Sequence, residues 1–371
     1  MDVQTLRREF PVTQEYAYLN HAAHAPLPAR TVAAMENFLH DRQHGPHREA
    51  RWETLAAELR MAIADLINAH PEEIALVTNT AEGINLAAHS LPLQPGDNVI
   101  FCNMEYPANV YPWMNLERLR GIEVRILPHR EGGLAVDDVR EAMDKRTKVV
   151  AASTVEFLTG FRNDIPTLGE LCREQGVYFV VDGIQSLGAA PLDVRACHID
   201  FLACGGPKWL MGPAGQGFLY CRRELLAELQ PPFAGALSVV GAEDYRNYDL
   251  TFLPDAGRFH LGTYNLVGMV GLLTSIRFLM EVGIAEIERW TLHLTDVLID
   301  DLQRRGYSIA SCLRPEHRSA IVSFDPGDVE AAYQRLTEAR VVISRRENYI
   351  RVSPHCYNTE EEMLLVGDIL G

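Results

Sequence analysis

The sequence predicts an α/β protein with a large, mainly parallel seven-stranded sheet domain and a smaller C-terminal α+β domain. Three observations support this. Short apolar runs alternate with helix-period stretches from Ile74 to Tyr220 of the 371-residue chain, as in a parallel sheet covered by helices on both faces. The connecting loops are short and rich in Gly, Pro and Asp. After about Gly262 the alternation stops, and two long helical stretches are followed by short mixed elements.

The strand candidates are Ile74–Thr78, Asn98–Asn103, Val124–Leu127, Val149–Thr154, Tyr178–Asp182, Phe201–Cys204 and Gly217–Tyr220. Each is a run of four to six residues, too short for a buried helix. Helix-period stretches at Ala108–Leu119, Val136–Met143 and Leu168–Gln175 lie between them. Beyond Gly262 come helices over Leu266–Val282 and Ile284–Arg305, then a strand at Ala320–Phe324 and a helix at Val329–Ala339. A strand pair, Val341–Ser344 with Tyr349–Val352, and a last helix, Thr359–Leu370, complete the chain. Residues 1–262 then form the large domain, and 263–371 form the linking helices and the small domain.

Hydrophobic residues make up 47% and charged residues 23%, which excludes collagen, coiled coil and wholesale disorder. Acidic residues outnumber basic ones 50 to 34, for a formal charge of −16. That field disfavours nucleic acid and anionic membrane surfaces as partners, while leaving room for a local basic pocket that takes one small anion. The seven cysteines are odd in number and contain no C-x-x-C pair, which reads as reduced thiols rather than a disulfide or zinc framework. The first ten residues carry four charges, unlike a signal peptide, and the apolar run Leu261–Ile276 is too short to span a bilayer. A cytoplasmic protein is expected.

Five segments could carry chemistry. Asp182 ends the apolar strand Tyr178–Asp182, and in α/β sheets ligands sit beyond the carboxyl ends of strands. It could face a bound cation or a protonated heterocycle, or simply cap the following turn. Lys208, in Gly205-Gly206-Pro207-Lys208-Trp209, lies in a stiff loop poor in carboxylates, where desolvation lowers an amine's pKa; its alternative is a solvated surface lysine. At Thr78-Asn79-Thr80-Ala81-Glu82 a strand runs into a helix whose free N–H groups can hold an anion, unless Thr80 only caps it. Gly262 and Thr263 offer further N–H and O–H donors before a long helix. Arg351, on a short strand, presents a planar fork to a carboxylate or to a structural acid.

In order along the chain, these segments resemble the class V aminotransferases of the fold type I pyridoxal-phosphate (PLP) enzymes, the group that also holds cysteine desulfurases and isopenicillin N epimerase. The resemblance opens at Tyr18-Leu19-Asn20-His21-Ala22-Ala23-His24 and runs through Glu105-Tyr106-Pro107-Ala108-Asn109 and the five segments. It closes at Ser353-Pro354-His355-Cys356-Tyr357-Asn358-Thr359, so it covers nearly the whole chain. It implies that Lys208 forms the Schiff base with PLP and that Asp182 pairs with the pyridine nitrogen. Gln185 would approach the ring hydroxyl, and Tyr106 would stack on the ring where many relatives carry histidine. Thr80 with the N–H groups of Ala81 and Glu82 would hold the phosphate, helped by Gly262 and Thr263 from a neighbouring subunit. A homodimer with shared sites would follow. Arg351 would take the substrate carboxylate, and Asn20, His21, Ala22, Ala23 and His24 would line the substrate side.

Three departures from the family pattern stand out. Pro207 and Gly205 replace phosphate-donating side chains. Phe157 stands where desulfurases carry an asparagine near the ring hydroxyl. No cysteine occurs between Val341 and Tyr349, the place of the desulfurase nucleophile. The implied function is a PLP enzyme acting on a small α-amino acid or amine. Transamination comes first, epimerisation or β-elimination at a C–S bond is the alternative, and a catalytically silent ligand-binding relative is the alternative of another class. No metal set is expected: His40 and His44 share a helix face without a third ligand, and His47 follows them. No dinucleotide fingerprint is present either, since Gly212–Gly217 precedes a strand instead of opening a helix.

Overall fold

The computed structural model describes residues 2–46 and 50–371; His47 lies outside them. Seven strands form the large sheet: β1 (Ile74–Val77), β2 (Asn98–Cys102), β3 (Glu123–Leu127), β4 (Thr147–Ser153), β5 (Tyr178–Asp182), β6 (Phe201–Gly205) and β7 (Gly217–Cys221). Their spatial order is β1-β7-β6-β5-β4-β2-β3. β7 runs antiparallel to both of its neighbours and every other pairing is parallel. Side chains alternate between two apolar layers. Ile100, Val150, Phe179, Val181 and Leu202 face one, and Val99, Val149, Val180 and Ala203 face the other. Burial on both faces explains why these strands read as continuous apolar runs.

The helix Leu266–Val282 places Leu272, Ile276 and Leu279 in the first of these layers, against Ile63 and Phe218. Although it follows Gly262 in sequence, it is packed as part of the large sheet's covering. The C-terminal unit is a four-stranded antiparallel sheet in the order Ser344–Arg346, Tyr349–Val352, Val322–Asp325, Ser308–Ile309. The helices Ile284–Arg304, Val329–Glu338 and Glu360–Leu370 cover it.

The predicted strand pair at the C-terminus requires correction. The apolar dipeptide Val341–Val342 does not pair with Tyr349–Val352; it runs parallel to Ala17–Tyr18 near the start of the chain. The hairpin partner of Tyr349–Val352 is the polar stretch Ser344–Arg346, which has no apolar alternation to reveal it. Leu19 completes the small unit's core, so the first segment of the chain is built into the last one.

Among the described residues no single helix is long and apolar enough to cross a membrane.

Candidate active site

The site forms where the carboxyl ends of β4, β5 and β6 meet the N-terminal segment and the hairpin of the small unit. Asp182 closes β5, in register with Ser153 of β4 and Ala203 of β6. Its side chain is buried, and Ile184 N–H donates to Oδ1 at 2.9 Å. Burial pushes the carboxyl up to about 6, while the Ile184 N–H and the Lys208 charge hold it from rising further. No Lys or Arg forms an ion pair with it among the described residues, so a buried carboxylate faces the site without a direct counter-charge.

Lys208 follows β6. Its amine lies 5.6 Å from the centre of the Tyr106 ring. Burial pulls the ammonium down to about 8, Asp182 raises it, and Arg351 lowers it further. The loop is fixed on several sides. Ala25 N–H donates to Pro207 O at 2.8 Å, Met211 N–H to Lys208 O at 3.0 Å, and Gly212 N–H to Gly206 O at 2.8 Å. Gly188, at φ +102°, lets its turn close against this loop: a Cβ there would stand 2.2 Å from Trp209 O.

Gln185, expected at the ring hydroxyl, has both ends of its amide engaged within the chain. Its Oε1 accepts from Trp209 Nε1 at 2.9 Å and its Nε2 donates to Ala22 O at 3.1 Å. It therefore bolts the substrate loop to the lysine loop, and nothing in its sequence context signals this.

At the helix Thr80–Ser90 the cap is Asn79, not Thr80. Its side-chain oxygen accepts Glu82 N–H at 2.9 Å. Glu82 in turn accepts from Thr78 N–H at 2.6 Å and Thr78 Oγ1 at 2.5 Å. The expected role of Glu82 N–H in phosphate binding is thus corrected, because that donor is already used. The N–H groups of Thr80 and Ala81, at the first two helical positions, have no carbonyl behind them and remain suited to an anion. Thr80 Oγ1 accepts Gly205 N–H at 2.9 Å, which aligns the helix start with the lysine loop and leaves its own proton to donate.

Tyr106 is 46% exposed and meets the Phe157 ring edge-on at 5.2 Å. Its turn is held by the preceding Glu105, which accepts from Ser153 N–H at 2.5 Å, Ser153 Oγ at 2.6 Å and Asn109 Nδ2 at 2.9 Å. Glu156 lies in the same buried neighbourhood. Its Oε1 accepts from Asn163 at 2.9 Å, and its Oε2 is buried without a partner. Burial pushes Glu105 up to about 7 and Glu156 well above the carboxylate range; repulsion from Asp182 raises both further, and Glu105 adds to it at Glu156. Sequence reasoning missed this carboxyl pair, since two glutamates 51 positions apart share no motif.

On the substrate side, Ser344 Oγ donates to Asn20 Oδ1 at 2.6 Å, Ala22 N–H to Ser353 Oγ at 3.0 Å, and His21 N–H to Ser353 O at 3.2 Å. The two histidines of this loop separate. His21 is fully buried, with Nε2 2.8 Å from the Tyr357 hydroxyl and its ring 4.6 Å from that of His355. Burial holds both imidazoles neutral, pulling His355 down to about 3. His24 is exposed and contributes its carbonyl to the Tyr18 hydroxyl. Ala23 closes the turn with its N–H on Asn20 O at 3.0 Å.

Arg351 is 1% exposed. Its Nη1 donates to Phe157 O at 2.5 Å, while Nε and Nη2 are buried without partners. Among the described residues no acid pairs with it, which argues against a structural salt bridge, and burial pulls the guanidinium down to about 9. Two orphaned donors on a buried guanidinium form a ready seat for a carboxylate. Gly262 and Thr263 are exposed on this chain, with open space beside Gly262. His40 and His44 stack at 4.3 Å on an exposed helix end, and no group of three or more metal-ligating side chains occurs among the described residues.

Known proteins match this chain over nearly its whole length. The aminotransferase class-V family model covers residues 17–366. This chain belongs to the class V aminotransferase family. It is 31% identical to a protein of Methanothermobacter thermautotrophicus described as "Probable cysteine desulfurase", with 100% of this chain and 98% of that protein aligned. The apo cysteine desulfurase of Thermococcus onnurineus NA1 superposes with a TM-score of 0.90 at 28% identity, covering 99% and 96% of the two chains. The cystine C–S lyase C-DES in complex with cysteine persulfide superposes at 0.89 and 25% identity, covering 97% and 99%; another C-DES structure carries glycine covalently linked to PLP. As a class V member this protein is a PLP-dependent enzyme of fold type I. The fit is visible in the residues themselves: a buried carboxylate without a counter-charge, an amine at lowered pKa beside an aromatic ring, and an arginine with two idle donors.

Proposed function

We propose that the protein is a PLP-dependent C–S lyase that cleaves the Cβ–S bond of a cysteine-type amino acid. The relatives support carbon–sulfur chemistry over the transamination that the family name suggests. The missing nucleophile supports elimination over persulfide transfer. No cysteine lies between Val341 and Tyr349, and Cys356 is buried with its thiol pushed up by burial. The observation that carries the reading is Lys208, whose amine is pulled by burial down to about 8 and lies over Tyr106, with buried Arg351 in the same electrostatic neighbourhood.

Arg351 would hold the substrate carboxylate with Nε and Nη2 and so orient Cα. Lys208 and Asp182 would hold PLP, with Thr80 and Ala81 at its phosphate; when bound, the group supplies an electron sink for charge developing at Cα. Lys208, near the pH at which it exchanges a proton, takes the Cα proton. The Cβ–S bond then breaks with its electron pair leaving on sulfur.

The exposed Gly262–Thr263 turn supports a homodimer in which a partner subunit uses it. Sedimentation should give a dimer, and Thr263→Ala should weaken PLP binding.

PLP-loaded protein should be yellow, and borohydride should abolish the colour and the activity while fixing the cofactor to Lys208. Mixed with L-cystine, it should release pyruvate, ammonia and cysteine persulfide. Conversion to the pyridoxamine form would mark a transaminase instead. Lys208→Ala should abolish both the covalent link and turnover.

A further inference from the structure

A second arginine stands beside the first, and it deepens the reading above. The hairpin pairs Ser344 with Arg351, Arg345 with Ile350 and Arg346 with Tyr349. Because side chains alternate along a strand, Ser344, Arg346, Tyr349 and Arg351 share one face, and Arg345 and Ile350 share the other. Contacts agree with this division. Ile350 is in the small unit's core, and Arg345 pairs with Glu330 and covers the Tyr333 ring at 5.8 Å. The opposite face turns to the site: Ser344 Oγ reaches Asn20 of the substrate loop and Arg351 reaches the Phe157 carbonyl.

Arg346 is half-buried on that face. Its hydrogen bond goes to the carbonyl of its own neighbour, Arg345, at 3.2 Å, and among the described residues it forms no ion pair. Its charge is felt at the centre of the site, where it adds to the forces lowering both Lys208 and Arg351. Among the described residues, two guanidinium groups on one face are left without an acid. Like charges at diagonal positions of a hairpin, about 7–8 Å apart between backbones, repel each other unless an anion lies between them. A molecule with two anionic ends separated by a few atoms satisfies both.

We propose that Arg346 and Arg351 together form a two-anion subsite, and that the amino acid accepted here carries a second anionic group at the end of its side chain. Arg351 takes the α-carboxylate, which rests on the function proposed above, and Arg346 takes the distal carboxylate or sulfur oxyanion. An S-substituted cysteine ending in such a group unites this subsite with C–S cleavage. The planar fork of each arginine suits bidentate oxyanions.

Two measurements test this. The first is calorimetric titration of the purified protein with glutarate and with butyrate, which needs no turnover. Glutarate should bind at least about tenfold more tightly, and Arg346→Gln should bring the ratio close to one, with Arg346→Lys partly restoring it. Equal affinities in the parent protein, or a glutarate preference that survives Arg346→Gln, would overturn the subsite. The second compares kcat/KM for S-carboxymethyl-L-cysteine and its neutral amide in the PLP-loaded enzyme. The charged compound should be preferred by about tenfold or more, and Arg346→Gln should erase that preference; a neutral-amide preference sinks the substrate class. Were the protein to take up no PLP, the function proposed above would fail, yet the glutarate titration would still decide the subsite.

Discussion

Arg351 concentrates the residue-scale argument, because burial leaves its Nε and Nη2 with nothing to bind. Replacing it with Gln should lower kcat/KM for the amino acid about a hundredfold, as expected when one partner of a buried charged pair is lost. The spectrum of bound PLP should change little, since Lys208 and Asp182 remain. Glu156 offers a different test, one of stability and pH. Its folded pKa is raised above the unfolded value, so the folded state binds the extra proton and its contribution is lost as pH rises past the unfolded carboxylate range. Glu156→Gln should therefore leave the melting temperature unchanged near pH 4 and raise it progressively toward pH 8. A shift that is the same at both pH values would show that this carboxyl is not held protonated. Lys208, Asp182 and Arg351 were singled out because each sits on a short strand, at a strand end or in a stiff loop and because their order resembles one family. The fastening of Gln185 to Trp209 and Ala22 was not, since it depends on two partners far from it in the chain.

At the scale of elements, the helix Thr80–Ser90 and the turn after β5 carry the site's precision. Asn79→Ala should remove the cap and cost about 1 kcal/mol, measurable by denaturant unfolding. It should also free Glu82 N–H and loosen the two N–H groups beside it. Gly188→Ala should cost more, about 2 kcal/mol or above, because the substitution meets both a positive φ and the Trp209 carbonyl. Strand positions in the large sheet were readable to within two residues, since burial on both faces leaves uninterrupted apolar runs. The hairpin strand Ser344–Arg346 escaped because its side chains serve the cleft and the surface instead of a core. The same lack of apolar pattern that hid it as a strand leaves its charges available.

For the whole molecule, parallel pairing in β2 to β6 gathers the carboxyl ends of successive strands on one edge. Residues far apart in sequence, such as Asp182 and Lys208, therefore meet there. The small unit adds Arg351 from above, and the N-terminal segment is threaded between the two. Ala17–Tyr18 pairs with Val341–Val342, Leu19 enters the small unit's core, and Ala25 is tied to the lysine loop. This threading was invisible in the sequence, because a two-residue strand carries no periodicity and its partner lies at the other end of the chain.

That threading sets the timing of synthesis. Residues 17–25 leave the ribosome well before the strand they pair with and the serine that holds Ala22. During translation the large sheet can collapse around its helices while this early segment waits, and the substrate pocket closes only once Ser353 has emerged.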